Sequence, residues 1–238
     1  MLFRSGQQET VGALARYFPL VELSEKERER ARFFYDNPNY GRGEAIIYGA
    51  MLRHLRPRHV IEIGSGYTTL LLLDTLDQMN SRETKIDCIE PVPELLQSLL
   101  RGEDAARVQI HACVAQDSEL AWFETLQSKD ILFVDSTHVS KVGSDVNFIL
   151  FEIMPRLRSG VRIHFHDIYY PFEYPKPWVF GGRNWNEAYL LRAFLQYNNT
   201  FAIECFNSYL GQCHPEWFRD TDPKFLSHHG SSLWLRRI

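Results

Sequence analysis

Five short apolar runs alternate with helix-like segments through the middle of this chain, and no other feature constrains the fold as much. The runs are "VIEIG", "KIDCIE", "RVQIHA", "DILFVD" and "GVRIHFHD". Between them lie "TTLLLLDTLDQM", "PELLQSLLRG", "SELAWFETLQ" and "VNFILFEIMPRL". Strand and helix in that alternation predict a parallel sheet covered on both faces. Later, "FAIECF" and "SSLWLRRI" read as two more strands. Upstream, "GEAIIYGAMLRHL" is a helix with Ile46, Ile47, Ala50, Met51 and Leu55 near one face. The charged stretch "SEKERERARFFYDN" reads as another helix, with Ser24 as its N-cap. The expectation is therefore an α/β domain over residues 57–238, with a helical extension, residues 1–56, packed on it.

Composition narrows the partners. A net charge of -4 provides no basic field for nucleic-acid phosphates. No apolar run reaches the roughly 20 residues that a membrane span needs. The first residues, "MLFRSGQQETVGALARYF", lack the apolar core and cleavage site of a secretory leader. Cys88, Cys113, Cys205 and Cys213 have neither paired spacing nor density for a disulfide or zinc framework. A reduced, cytoplasmic protein acting on small molecules is expected.

The first run leads into "HVIEIGSGYTTLLLLDTL", a strand, a glycine turn and the start of a helix. Ligands of open parallel sheets sit beyond the carboxyl ends of the strands, where Gly64 and Gly66 let the backbone approach closely. One strand-helix unit later "IDCIEP" ends in Glu90, placed to accept hydrogen bonds from both hydroxyls of a ribose. The third glycine of a dinucleotide turn is missing, since Tyr67, Thr68 and Thr69 follow Gly66. Together with Glu62, a carboxylate within the motif, this favours a cationic nucleoside, S-adenosylmethionine, over a nicotinamide dinucleotide.

"VIEIGSGYTT" with "IEP" resembles the first two motifs of class I S-adenosylmethionine-dependent methyltransferases. "DILFVDSTHVSKVGSDVNFILFEIMPRL", "GVRIHFHDIYYPFEYP" and "WNEAYLLRAFL" are similar to a bacterial branch related to macrolide-sugar O-methyltransferases and the cephalosporin-hydroxylase type. The likeness covers residues 34–238. It implies a Rossmann-like seven-stranded, mostly parallel sheet with its last strand antiparallel and helices on both faces. It also implies that Glu62, Gly64, Ser65, Gly66, Tyr67 and Thr68 surround the methionine and ribose, that Glu90 holds the ribose, and that Asp117 lies near the adenine.

The chemistry then falls to the ends of the fourth and fifth strands. Asp135 closes "LFVD"; His166 and Asp167 close "IHFHD". In catechol-type O-methyltransferases the matching positions, an Asp and then an Asp-Asn pair, hold magnesium. With an imidazole in the set, Mn²⁺, Fe²⁺, Zn²⁺ or Co²⁺ suits it at least as well as Mg²⁺. His138 stands where those enzymes carry a basic lysine and is the candidate general base, with Lys141 as substitute. Bland readings remain open: Asp135 as a helix cap, His166 as a core histidine like His164, and His228 and His229 as surface residues. The aromatic loop "DIYYPFEYPKPWVFGGRNWNEAY" is either an acceptor wall, with Arg183 and Glu173 as its polar groups and "FGGRNW" as a lid, or a hydrophobic pad at a homo-oligomer interface. The early "FFYDNPNYGRG" either folds over the cofactor or merely connects helices. The predicted activity is O-methylation, divalent-metal-assisted, of a hydroxyl on a saccharide or a glycosylated or phenolic small molecule. The alternatives are a non-catalytic S-adenosylmethionine-binding module and a nicotinamide-dependent oxidoreductase.

Overall fold

The computed structural model describes residues 4–28 and 31–238. Its strands are β1 (His59–Ile63), β2 (Lys85–Ile89), β3 (Val108–His111), β4 (Ile131–Val134), β5 (Arg162–Phe165), β6 (Phe201–Phe206) and β7 (Leu233–Arg237). They form one seven-stranded sheet in the order β3-β2-β1-β4-β5-β7-β6. Neighbours from β3 through β5 pair in parallel, and β7 runs antiparallel to both β5 and β6. The expected seven-stranded sheet with a reversed last strand is what is found. Because β2 and β4 flank β1, the chain leaves β1 in opposite directions. That switch opens a crevice at the carboxyl ends of β1 and β4.

Around the sheet lie α1 (Arg4–Ala15), α2 (Arg42–Leu55), α3 (Tyr67–Gln78), α4 (Glu94–Leu99), α5 (Leu120–Glu124), α6 (Asp145–Phe148), α7 (Lys176–Phe180), α8 (Glu187–Leu195), α9 (Asn207–Cys213) and α10 (Pro223–Ser227). The period-two geometry of strands divides the core between two faces. Val60, Ile131 and Phe133 join α1, α2 and α3 on one side through Leu14, Ile47, Met51 and Leu71. Ile61, Ile63, Leu132 and Val134 point the other way, onto Ile149, Ile153 and Leu191. Residues of the 1–56 stretch thus share a core cluster with the sheet. Among the described residues no helix is long and apolar enough to cross a membrane.

The helix expected over "SEKERERARFFYDN" is not there. Residues 29 and 30 lie outside the described residues; the rest is irregular, with bends and the isolated bridges Ser24 to Phe34 and Arg28 to Ala31. This segment carries too few apolar residues to give a helix a face to bury, so tertiary hydrogen bonds decide its course. Arg32 reaches Asp74 at 2.8 Å, Asp77 at 2.8 Å and Asp104 at 2.6 Å. The Asp74 carboxylate also accepts from the backbone N–H groups of Arg32 and Phe33. A local helix would compete with all of these.

Arg32→Ala would leave the buried Asp104 and Asp74 without their cation. It should cost about 3 kcal/mol, the range for breaking one partner of a buried pair, in urea unfolding monitored by circular dichroism.

Candidate active site

The site begins at the tips of the strands, where backbone ladders continue one residue beyond each strand. Gly64 N–H donates to Ile89 O at 3.0 Å, Asp135 N–H to Ile63 O at 2.8 Å, and His166 N–H to Val134 O at 2.9 Å. Gly64 has a φ of +78°, and a Cβ there would stand 2.3 Å from the carbonyl oxygen of Asp135. Only glycine allows the β1 turn to lie this close to the end of β4. The Glu90 carboxylate spans from β2 to the same turn, accepting from Ser65 N–H at 3.1 Å and from Val92 N–H at 2.9 Å.

These tips line a cleft of about 230 Å³ whose walls include Gly64, Glu90, Gln116, Asp135, Thr137 and Asp145. A larger cavity, about 720 Å³, is lined by the N-terminal segment, α2 and α10, and holds none of the candidate residues. The Ser65 hydroxyl beside the cleft is buried with no hydrogen-bond partner among the described residues. Glu62 lies beneath the turn, fully buried. Its Oε2 accepts from the Thr69 hydroxyl, while Oε1 has no hydrogen-bond partner among the described residues. Burial pushes its pKa up to about 7, against the lowering pull of Thr69, Cys88 and Thr68. Tyr67 and Thr68 open α3, and the Tyr67 ring meets Phe34 edge-on at 5.8 Å, so the early aromatic segment does reach the turn. Asp117 is exposed and does not line the cleft, where its neighbour Gln116 does.

On the other side of Asp135 four side chains meet. Asp135 Oδ1 lies 3.3 Å from His138 Nε2 and 3.3 Å from His166 Nδ1. Asp167 Oδ2 lies 3.8 Å from each of the same two nitrogens. Both imidazoles are backed by carboxylates on their far nitrogens. Glu187 sits 2.8 Å from His138 Nδ1, and Glu44 sits 3.3 Å from His166 Nε2. Glu44, from the first turn of α2, also accepts from Ser231 N–H at 2.9 Å and from Gly41 N–H at 3.0 Å. Neither glutamate announces itself in the sequence, since a glutamate in a helix's first turn usually complements the helix dipole at the surface.

Asp135 does not cap a helix; Ser144 caps α6 instead. His164 is a core residue as anticipated: it is fully buried, stacks on Phe133 at 4.0 Å, and shares a 2.7 Å hydrogen bond with Ser232. Lys141 is exposed. His228 is exposed and His229 half-buried. The carbonyl of His228 fixes Gly43 N–H at the start of α2 at 2.9 Å. The aromatic loop is built onto the site: the Trp185 ring lies 4.1 Å from that of His138.

The electrostatics follow from this enclosure. Burial works against charge on His138, but Asp135 and Glu187 outweigh it and hold its pKa up to about 9. Burial likewise opposes charge on His166, and Asp135, Glu44 and Asp167 raise its pKa well above the ordinary value. Burial would raise Asp135 and Glu44; the imidazolium of His166 reverses this, taking Glu44 to about 2 and Asp135 far below the usual carboxylate range. Asp167 moves up, because burial dominates there. His166 Nδ1 makes no well-formed hydrogen bond despite its burial. Among the described residues no group of three or more His, Cys, Asp or Glu is already drawn together as a metal-binding set. At 3.3–3.8 Å these are ion-pair contacts.

With this arrangement in view, comparison with known proteins is informative. Residues 61–168, from β1 to just past Asp167, match the family described as a methyltransferase domain. The chain is similar to an uncharacterized protein of Archaeoglobus fulgidus at 28% identity over 125 residues, 52% of this chain and 55% of that one. The chain therefore spans about half the length of that relative. Among solved structures, the SAH-bound methyltransferase PaMTH1 of Podospora anserina is similar, with a TM-score of 0.51 and 15% identity, covering 95% of this chain and 88% of that one. The O-methyltransferase of Bacillus cereus in complex with SAH gives a TM-score of 0.50 and 14% identity, covering 97% and 91%. These likenesses concern the fold.

Gly64→Ala should be destabilising by at least about 2 kcal/mol, because a β-carbon meets backbone rather than a yielding side chain; a urea melt of the purified variant measures it. His138 should also give stability a pH dependence. Its folded pKa, about 9, lies above the ordinary 6.5, so its contribution is complete below 6.5 and lost as pH rises through 9. In metal-free buffer, His138→Gln should remove that part of the decline, read from unfolding free energies at the two ends of the range.

Proposed function

We propose that this chain is an S-adenosylmethionine-dependent O-methyltransferase, assisted by a divalent metal, whose acceptor is a hydroxyl of a saccharide or of a glycosylated or phenolic small molecule. The observation that carries this reading is the position of Asp135. It lines the cleft shared by Gly64 and Glu90, and its carboxylate touches His138 and His166 on the other side. A donor in the cleft would thus lie against the residue whose carboxylate both imidazoles face.

The donor supplies a methyl group on a sulfonium; its carbon–sulfur bond breaks as the acceptor oxygen attacks in line, and the hydroxyl proton must leave. Glu90, already fixed to the glycine turn, has lone pairs to spare for a ribose. Ser65 Oγ and Glu62 Oε1 are buried atoms that a polar ligand could satisfy.

The donor set of Asp135, His166 and Asp167 fits a divalent ion that accepts nitrogen. Its supports are His166 Nδ1, which faces both aspartates without a well-formed hydrogen bond among the described residues, and the carboxylate behind that ring. Such an ion favours the ionised form of a bound hydroxyl. Proton transfer falls to His138 Nε2, with Glu187 holding the opposite nitrogen. In the field of Asp135 and Glu187 alone this ring keeps its proton at neutral pH. Positive charge between Asp135 and Asp167 would release it.

Calorimetric titration of S-adenosylmethionine into metal-stripped protein tests the donor. Saturable binding, weakened at least about tenfold by Glu90→Ala through loss of charge-assisted hydrogen bonds, is expected; no binding under any metal condition sinks the reading. Titrating Mn²⁺ and Mg²⁺ tests the ion. Asp135→Asn and Asp167→Asn should each lose the metal heat while retaining donor binding, and unchanged metal binding in both variants would remove the metal from the proposal.

A further inference from the structure

The loop that follows β5 leaves Asp167 and returns at α8, and its rings form a continuous wall between the two. Tyr169, two residues past Asp167, meets Trp178 edge-on at 5.3 Å. Trp178 meets Trp185 at 5.2 Å, and Trp185 lies against His138 at 4.1 Å. The wall therefore starts and ends at residues of the candidate chemistry. It is anchored there by backbone as well, since the N–H groups of Asn186 and Glu187 both donate to His138 O.

Arg183 sits on this wall in an unusual way. Its guanidinium carbon stands 4.2 Å from the Trp178 ring and 4.6 Å from the Trp185 ring. Its own N–H donates to Trp178 O at 3.0 Å, so the segment "FGGRNW" is tied down as well as glycine-rich. Among the described residues no carboxylate or carbonyl is paired with this guanidinium, although the side chain is exposed. The nearby acid on the same loop, Glu173, is taken by the Tyr189 hydroxyl. Glu187, where the loop enters α8, is committed to His138 and Ser136.

A planar cation held against two indoles loses little further freedom on binding, and its N–H edge matches the fork of an oxyanion. One indole separates it from the ring of His138. We infer that Arg183 is the recognition point for an anionic group on the methyl acceptor, so that the acceptor is an acidic small molecule such as a uronate or a sugar phosphate. The indole faces would carry its apolar or sugar-ring portion and the guanidinium its charge. This rests on the methyltransferase reading for the nature of the occupant, but not for the anion contact itself.

The test uses the full chain and its tryptophan fluorescence, titrated with glucuronate, glucose 6-phosphate and neutral glucose. Either anion, or both, should give a saturable change that glucose does not, weakening with added salt. The carboxylate and phosphate arms show which group the site takes. In Arg183→Gln the anion response should fall at least about tenfold, the loss expected for a charge-assisted bidentate contact. A melting temperature equal to the parent's would show that the wall is intact. Arg183→Lys, which keeps charge but not the fork, should recover only part of the response. No anion-specific response, or one that Arg183→Gln leaves unchanged, overturns the inference. Calorimetry with S-adenosylmethionine on the same samples separates the two proposals. Donor binding without an anion response removes only the Arg183 assignment, and an anion response without donor binding removes only the methyltransferase reading.

Discussion

A single buried carboxylate, that of Glu44, joins the N-terminal half of the structure to the chemistry. Glu44 lies in α2, upstream of the matched domain, yet it accepts from Ser231 beside β7, from Gly41 in its own capping turn, and contacts His166 at the end of β5. Removing a carboxylate from water is costly unless several donors compensate, and here the donors come from three separate parts of the chain. Gly230, with a φ of +76°, leaves the space: a Cβ there would stand 2.2 Å from Glu44 Cγ. Through Glu44 the start of α2 therefore reaches the candidate site.

The same logic governs the centre as a whole. Two imidazoles are enclosed by Asp135, Asp167, Glu44 and Glu187, an arrangement that is stable only while charges of both signs are present. Each ring presents one nitrogen to the Asp135–Asp167 pair because the other is occupied by a glutamate. The orientation of both rings is thus settled by the protein's own carboxylates.

Much of this could be read from the chain. Buried strands declare themselves as unbroken apolar runs, so β1 to β5 and the acids at their tips, Glu90, Asp135 and Asp167, were visible one by one. Residues assembled from distant segments were not. Glu44 and Glu187 stand 143 positions apart in the sequence, and nothing local marks either as buried. The segment around Arg32 was misread because helical propensity cannot see Asp74, Asp77 and Asp104, three carboxylates brought together only by the fold. Gln116 takes a place in the cleft wall beside an exposed Asp117 because the direction of side chains within one tight turn depends on torsions that a residue list does not contain.

The placement of β7 bears on how the molecule matures in the cell. This strand is made after all the others, yet it is inserted between β5 and β6 rather than added at an edge. Until residues 231–237 have emerged from the ribosome, β5 and β6 have unpaired flanks, and Glu44 and Asp167 lack the Ser231 hydroxyl that both engage. The parallel strands β1 to β5 can pair earlier, but a nascent chain stalled short of Ser231 would expose two strand edges to aggregation and would hold an unfinished centre. Completion of the candidate site thus waits on the last-made strand of this sheet.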